Sequence, residues 1–186
     1  AGRIRIPNDS KSRAGGVLYS DYSLGRFFAE AARQPWFENT IFLVTADHCA
    51  SSAGRTEIPL QKYHIPALIL APGLIEPGVV DGIVSQIDLM PTLLSLLNMS
   101  YDSHFYGRSI FDPAYVNRAF IATYQDLGYL EGDTFTILSP VRRFEQYRVV
   151  PTEENPHHLE TMERKDAMQV DRAIGYYQTS CKWNKR

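Results

Sequence analysis

The feature that most constrains the fold is Ile41-Phe-Leu-Val44, an unbroken apolar run that stops at Thr45-Ala-Asp-His48. Such a run, without polar alternation, predicts a strand covered on both faces, as in sheets sandwiched between helices. A second run, Ile65 to Leu70, ends at Ala71-Pro-Gly73 and repeats the pattern. Helical spacing flanks both runs. Leu24, Phe27, Phe28 and Ala31 follow an N-cap at Ser20 or Asp21 and are limited by Pro35. Met90, Leu93, Leu94 and Leu97 follow a cap at Asp88, with Pro91 in the first turn. The order helix, strand, loop, strand, helix predicts an α/β layer. The opening segment, Ala1 to Gly16, shows no period and predicts a loop.

After Gly107 the texture changes. Ala119–Tyr124, Gly128–Glu131, Thr134–Leu138 and Tyr147–Val150 are short runs with tight connections such as Glu131-Gly-Asp133, which predicts an antiparallel meander. Pro151 to Pro156 predicts a loop. Ala167, Val170, Ile174, Tyr177 and Cys181 then mark one side of a terminal helix. No internal repeat or low-complexity tract interrupts the chain. The expectation is one domain in two sublayers: an α/β portion over 1–112, then a small antiparallel sheet with a terminal helix over 113–186.

Composition enters chiefly by exclusion. With 186 residues, 44% hydrophobic and 22% charged, the chain can build a real core and is not a disordered tail. The net charge of −2, with Lys and Arg scattered, excludes a basic stripe for nucleic acid. No run approaches the roughly 18 apolar residues that span a bilayer, and no secretory signal is visible. Cys49 and Cys181 are expected to be two separate thiols, since two distant cysteines make no disulfide framework.

Chemistry concentrates at Asp47 and His48. Ligand sites in open α/β sheets form beyond the carboxyl ends of strands, and this pair directly follows one. A carboxylate and an imidazole can bind one divalent cation; mixed oxygen and nitrogen donors suit Mn²⁺ or Zn²⁺ best, with Ca²⁺ and Mg²⁺ as alternatives. An Asp-His pair alone is a weak signal, because Asp47 capping a turn with His48 bonded to it is the favoured explanation of the pair by itself. Two ligands also fall short of the usual three or so protein groups of a catalytic site. The other candidates are weaker. His64, before Ile65-Pro66, either faces the same crevice or packs on the sheet rim, the rim being favoured. Arg55 could meet an anionic substrate but is solvent-facing by default. His104, beside Tyr101, Phe105 and Tyr106, reads as loop packing, and His157-His158 as a solvated first turn of the last helix. No nucleophile stands out.

Several ordered motifs together resemble the lipoteichoic acid synthase-like branch of the sulfatase/alkaline phosphatase superfamily. They are Tyr19-Ser-Asp-Tyr-Ser-Leu-Gly-Arg-Phe-Phe28, Pro35 to His48, Ile65 to Gly73, Ser85-Gln-Ile-Asp-Leu-Met-Pro-Thr-Leu-Leu94 and Phe105-Tyr-Gly-Arg-Ser-Ile-Phe111. The close likeness runs from Leu18 to about Phe111. It implies that Asp47 and His48 are metal ligands and that the chain is the carboxy-terminal part of a catalytic domain. The family's Ser or Thr nucleophile, its acidic ligand near the domain start and its upstream substrate-contacting histidine have no counterpart here. The implied whole is a metal-dependent hydrolase or transferase acting on phosphate or sulfate esters, with a phosphoglycerol transferase-like activity as the first expectation. Its substrate is lipid- or glycan-linked in one version, and a soluble sulfatase or phosphodiesterase is the alternative. A non-catalytic metal-binding module is a rival of another class. The resemblance further implies an extracytoplasmic setting, an inactive isolated chain, and self-association wherever the missing half of the domain leaves apolar surface open.

Overall fold

The computed structural model describes residues 12–49 and 58–183. The chain divides into two compact units, Ala1–Val44 with Leu68–Gly78, and Thr45–Ala67 with Val79–Arg186.

The first unit is built on α1 (Arg13–Ala31) and the pairing of β1 (Phe42–Thr45) with β2 (Ala67–Leu70), whose end residues Thr45 and Ala67 belong to the second unit. The helix starts well before the expected cap. Ser12 Oγ accepts the Gly15 N–H at 3.1 Å, so Ser12 is the N-cap and Ser20 and Asp21 lie inside the helix. Gly15-Gly16 imitates a loop in sequence, yet glycine in a capped first turn costs only a modest propensity term. The core of this unit is aromatic. The Phe42 ring lies 5.3 to 6.2 Å from those of Phe27, Phe28, Trp36 and Phe37, edge to face with the first two and tilted against the others. Coverage on both faces, expected for the apolar runs, is not what the strands show: β1 is half-buried and Ala67 and Leu68 of β2 are exposed. Two strands are too few to form the enclosed centre of a sheet.

In the second unit, α2 (Leu89–Leu96) follows a one-turn 3₁₀ helix, Gln86–Asp88. Asp88 caps differently from the expectation. Its carboxylate reaches back to the Ser85 N–H, while the Ser85 side chain accepts from the Asp88 N–H, a reciprocal capping box. Asn98, at φ 50°, closes α2: its N–H bonds Ser95 O, and the Met99 N–H bonds Leu94 O. That is a Schellman ending with asparagine in the left-handed position.

The predicted meander is present as β3 (Arg118–Ala122), β4 (Leu127–Glu131), β5 (Thr134–Ser139) and β6 (Arg143–Val149), all antiparallel in sequential order. A fifth strand, β7 (Leu159–Thr161), was not foreseen and pairs with the end of β6 through Val149 and Leu159. Gly132, at φ 58°, makes the two-residue turn between β4 and β5, where Glu131 pairs with Thr134. Ile121 and Phe135 form the core with Ile58 and Leu60, and Tyr63, Leu130, Ile137, Tyr147, Val149 and Leu159 pack around it.

The terminal helix α3 (Ala167–Trp183) lies on this sheet with a face shifted from the expected one. Gln169, Val170 and Ala173 are buried, whereas Ala167 and Cys181 are exposed. The shift has a polar cause. Gln169 accepts from Thr136 Oγ1 at 2.8 Å and donates to Thr134 O at 2.9 Å, and Gln146 donates to Thr136 Oγ1 at 2.9 Å. These groups are buried but mutually satisfied, so they can face the sheet. Tyr177 completes the contact by donating to Gly128 O at 2.8 Å, and burial pushes its hydroxyl up to about 12.

Candidate functional site

The carboxyl end of β1 belongs to the second unit from Thr45 onward. There the chain leaves the strand in a bend, and Asp47 and His48 turn toward each other. The Asp47 carboxylate accepts the His48 backbone N–H at 2.9 Å through Oδ1. Its Oδ2 lies 3.5 Å from His48 Nε2. Both side chains are open to solvent, at 88% and 70% of their surface.

The other ring nitrogen fixes the electronic state. His48 Nδ1 lies 2.9 Å from the Cys49 carbonyl oxygen, which can only accept. Nδ1 therefore carries a proton, and in the neutral ring Nε2 presents a lone pair toward the Asp47 carboxylate. Water screens the two exposed groups, and a second ring proton or a cation placed at this 3.5 Å approach would make it attractive. The donor chemistry of this pair thus fits a divalent cation with oxygen and nitrogen ligands. The set is partial: among the described residues no group of three or more His, Cys, Asp or Glu side chains could hold a metal.

The peptide before the pair is held from both sides. The Ala46 N–H donates to Pro66 O at 3.4 Å, and the Ala46 carbonyl accepts from Gln86 Nε2 at 3.2 Å. Beyond the pair, Cys49 Sγ donates to His64 O at 3.2 Å. His64 does not stand alone at a rim. Its Nδ1 lies 3.2 Å from His157 Nε2, with the rings 5.2 Å apart and nearly perpendicular. Burial, then the neighbouring His64, lowers the His157 pKa from its ordinary value. His157-His158 were expected in a solvated first turn of the last helix. They instead precede β7, while α3 begins at Ala167, because residues 159–161 add a strand to the sheet. His104 is exposed near the Tyr101–Phe105 ring pair, and Arg55 lies outside the described residues.

A second constellation, which sequence reasoning missed, surrounds Asp88. Its fully buried carboxylate accepts five hydrogen bonds: from the backbone N–H groups of Ser85 and Arg108, the Tyr115 hydroxyl, and both terminal nitrogens of Arg118. The Arg118 side chain is 3% exposed and lies over the rings of Tyr115, Phe120 and Tyr176. Burial and the Asp88 charge push the Tyr115 hydroxyl well above its usual range. The spacing Ser85-x-x-Asp88 signals the cap; nothing in the sequence signals Arg118, thirty positions further on.

Among the described residues no helix is long and apolar enough to cross a membrane. Residues 8–99 match the family model described as Sulfatase. An arylsulfatase from Clostridium perfringens (strain 13 / Type A) is 30% identical over 107 residues, which cover 53% of this chain and 22% of that protein. A crystal structure of a protein in the alkaline phosphatase superfamily from Vibrio parahaemolyticus matches 100% of this chain at 30% identity and a TM-score of 0.87. The match covers 45% of that structure, so the chain spans under half the length of either relative. The sulfatase match and the likeness in fold together support assignment of the chain to the sulfatase/alkaline phosphatase superfamily.

Proposed function

We propose that this chain is the carboxy-terminal part of a metal-dependent sulfatase-like catalytic domain, in which Asp47 and His48 are two ligands of one divalent cation. The observation that carries the proposal is the 3.5 Å approach of Asp47 Oδ2 to His48 Nε2 while Nδ1 is engaged by the Cys49 carbonyl. Mn²⁺ or Zn²⁺ matches this donor pair best. When bound, such a cation lowers the pKa of an attacking hydroxyl and neutralises charge on a tetrahedral ester. The chain's own residues orient the ligands: Cys49 fixes the His48 tautomer, and the Ala46 peptide sets where Asp47 leaves the strand. The remaining ligands and the Ser or Thr nucleophile would come from other parts of the domain.

The substrate in this proposal is a phosphate or sulfate ester, and the activity is phosphoglycerol transferase-like in an extracytoplasmic setting. The likeness to an arylsulfatase favours a second version, hydrolysis of a sulfate ester. Assaying the intact parent with an aryl sulfate and with a glycerophosphodiester separates the two by which one turns over. The metal proposal is tested by calorimetric titration of the chain with MnCl₂ or ZnCl₂. Weak binding, abolished by Asp47→Ala and by His48→Ala, is expected. Unchanged affinity in both variants removes it, and tight stoichiometric binding means that other ligands in the chain complete the site.

A further inference from the structure

We propose that Gln86 is a positioning residue for the Asp47–His48 pair, an inference that rests on the metal role just assigned to them. The Ala46–Asp47 peptide governs where the Asp47 carboxylate points, because the peptide is planar and any change of the Ala46 ψ angle carries the Asp47 Cα–Cβ bond with it. The Ala46 carbonyl accepts from Gln86 Nε2 at 3.2 Å, forty residues away in sequence. Thr45 Oγ1 lies 3.3 Å from the same oxygen and 3.1 Å from Pro66 O, and the Ala46 N–H is tied to Pro66 O. Both polar groups flanking the exit from β1 are therefore engaged.

A long amide side chain holds a peptide only if its own backbone is fixed. Gln86 meets that condition, since it begins the one-turn helix that ends at Asp88. The buried Asp88 carboxylate clamps that turn through Ser85 N–H and ties it to Arg108, Tyr115 and Arg118. Rigidity thus runs from a buried ion pair, through a short turn, to the peptide in front of the ligand pair. Gln86 itself is exposed, and water can replace its amide at the Ala46 oxygen, so the bond adds little to folding. Its effect falls on ligand geometry, where groups that orient ligands typically change metal affinity by about 10- to 100-fold.

The test is a Mn²⁺ titration of the whole 186-residue chain, read by paramagnetic broadening of the His48 ring protons, beside thermal melts. The wild type, Asp47→Ala, Gln86→Leu and Gln86→Glu are compared. Expected are His48 broadening at millimolar Mn²⁺, its loss in Asp47→Ala, and about tenfold weaker binding in both Gln86 variants with melting nearly unchanged. Wild-type binding in Gln86→Leu and Gln86→Glu, with Asp47→Ala still inactive in broadening, overturns the positioning role and leaves the metal role standing. Weaker binding that appears only together with a loss of cooperative melting also overturns it. Absence of His48 broadening in the wild type, or equal broadening in Asp47→Ala, removes the metal role and this inference together.

Discussion

At the scale of single residues, His157 gives folding a pH dependence whose sign can be worked out. His157 is half-buried against His64, and burial lowers its pKa below the ordinary 6.5. Above that value both the folded and unfolded rings are neutral, and the stability that depends on the neutral ring is fully present. As pH falls below 6.5 the unfolded chain takes up its proton first, so stability declines until the folded ring titrates too. Melting temperature measured from pH 8 to pH 5 should therefore drop on the acid side, and His157→Gln should flatten that part of the profile. A wild-type curve that is level below 6.5 would contradict this account. His157 also shows why sequence reading stops short here. Its partner is 93 positions away, and no local pattern separates a paired histidine from a solvated one.

Elements are joined by a few tight contacts that permit sharp predictions. Gly107 passes so close to the turn before α2 that a Cβ would stand 2.0 Å from the Ile87 carbonyl oxygen. The nearest atoms, of Ile87 and Asp88, are all backbone, so Gly107→Ala must displace the segment and should cost roughly 1–3 kcal/mol or more in denaturant unfolding. Removing the Asp88 carboxylate strands the Arg118 charge in the interior. Asp88→Ala is expected to cost about 3–5 kcal/mol, visible as a large fall in the urea midpoint. On the same face of the sheet, Gln169→Ala leaves the Thr136 hydroxyl proton without its acceptor and the Thr134 carbonyl without its side-chain donor. A loss of about 1–3 kcal/mol follows, with α3 loosened first in hydrogen exchange. The meander and its Gly132 turn were legible because alternation and turn chemistry are local signals. The strand β7 was not, since three residues carry no period and gain order only by pairing with β6.

For the molecule as a whole, exposed apolar surface is the dominant physical fact. Val17 is 64% exposed and Leu68 54%, and Leu24 and Phe27 of the same unit are exposed too. Apolar side chains in such number on a helix and a two-stranded sheet invite association. Light scattering over a concentration series should show self-association of the isolated chain. A strictly monomeric particle at all concentrations would count against it. In keeping with the proposed division of the active site, the isolated chain should turn over neither aryl sulfates nor phosphodiesters, and measurable release of aryl alcohol would show that a nucleophile was overlooked.

The linear sequence determined the longer helices, the four-stranded sequential meander and the position of Asp47-His48 at a strand end. All of these depend on period, turn residues and motif order within a few tens of residues. Only the tertiary structure decided that Asp88 binds Arg118, that His64 meets His157, that Gln86 reaches the Ala46 carbonyl, and which side of α3 is buried. Those contacts link residues far apart along the chain. Their geometry is fixed by how the elements pack and by the requirement that every buried polar group find a partner, which no local pattern encodes.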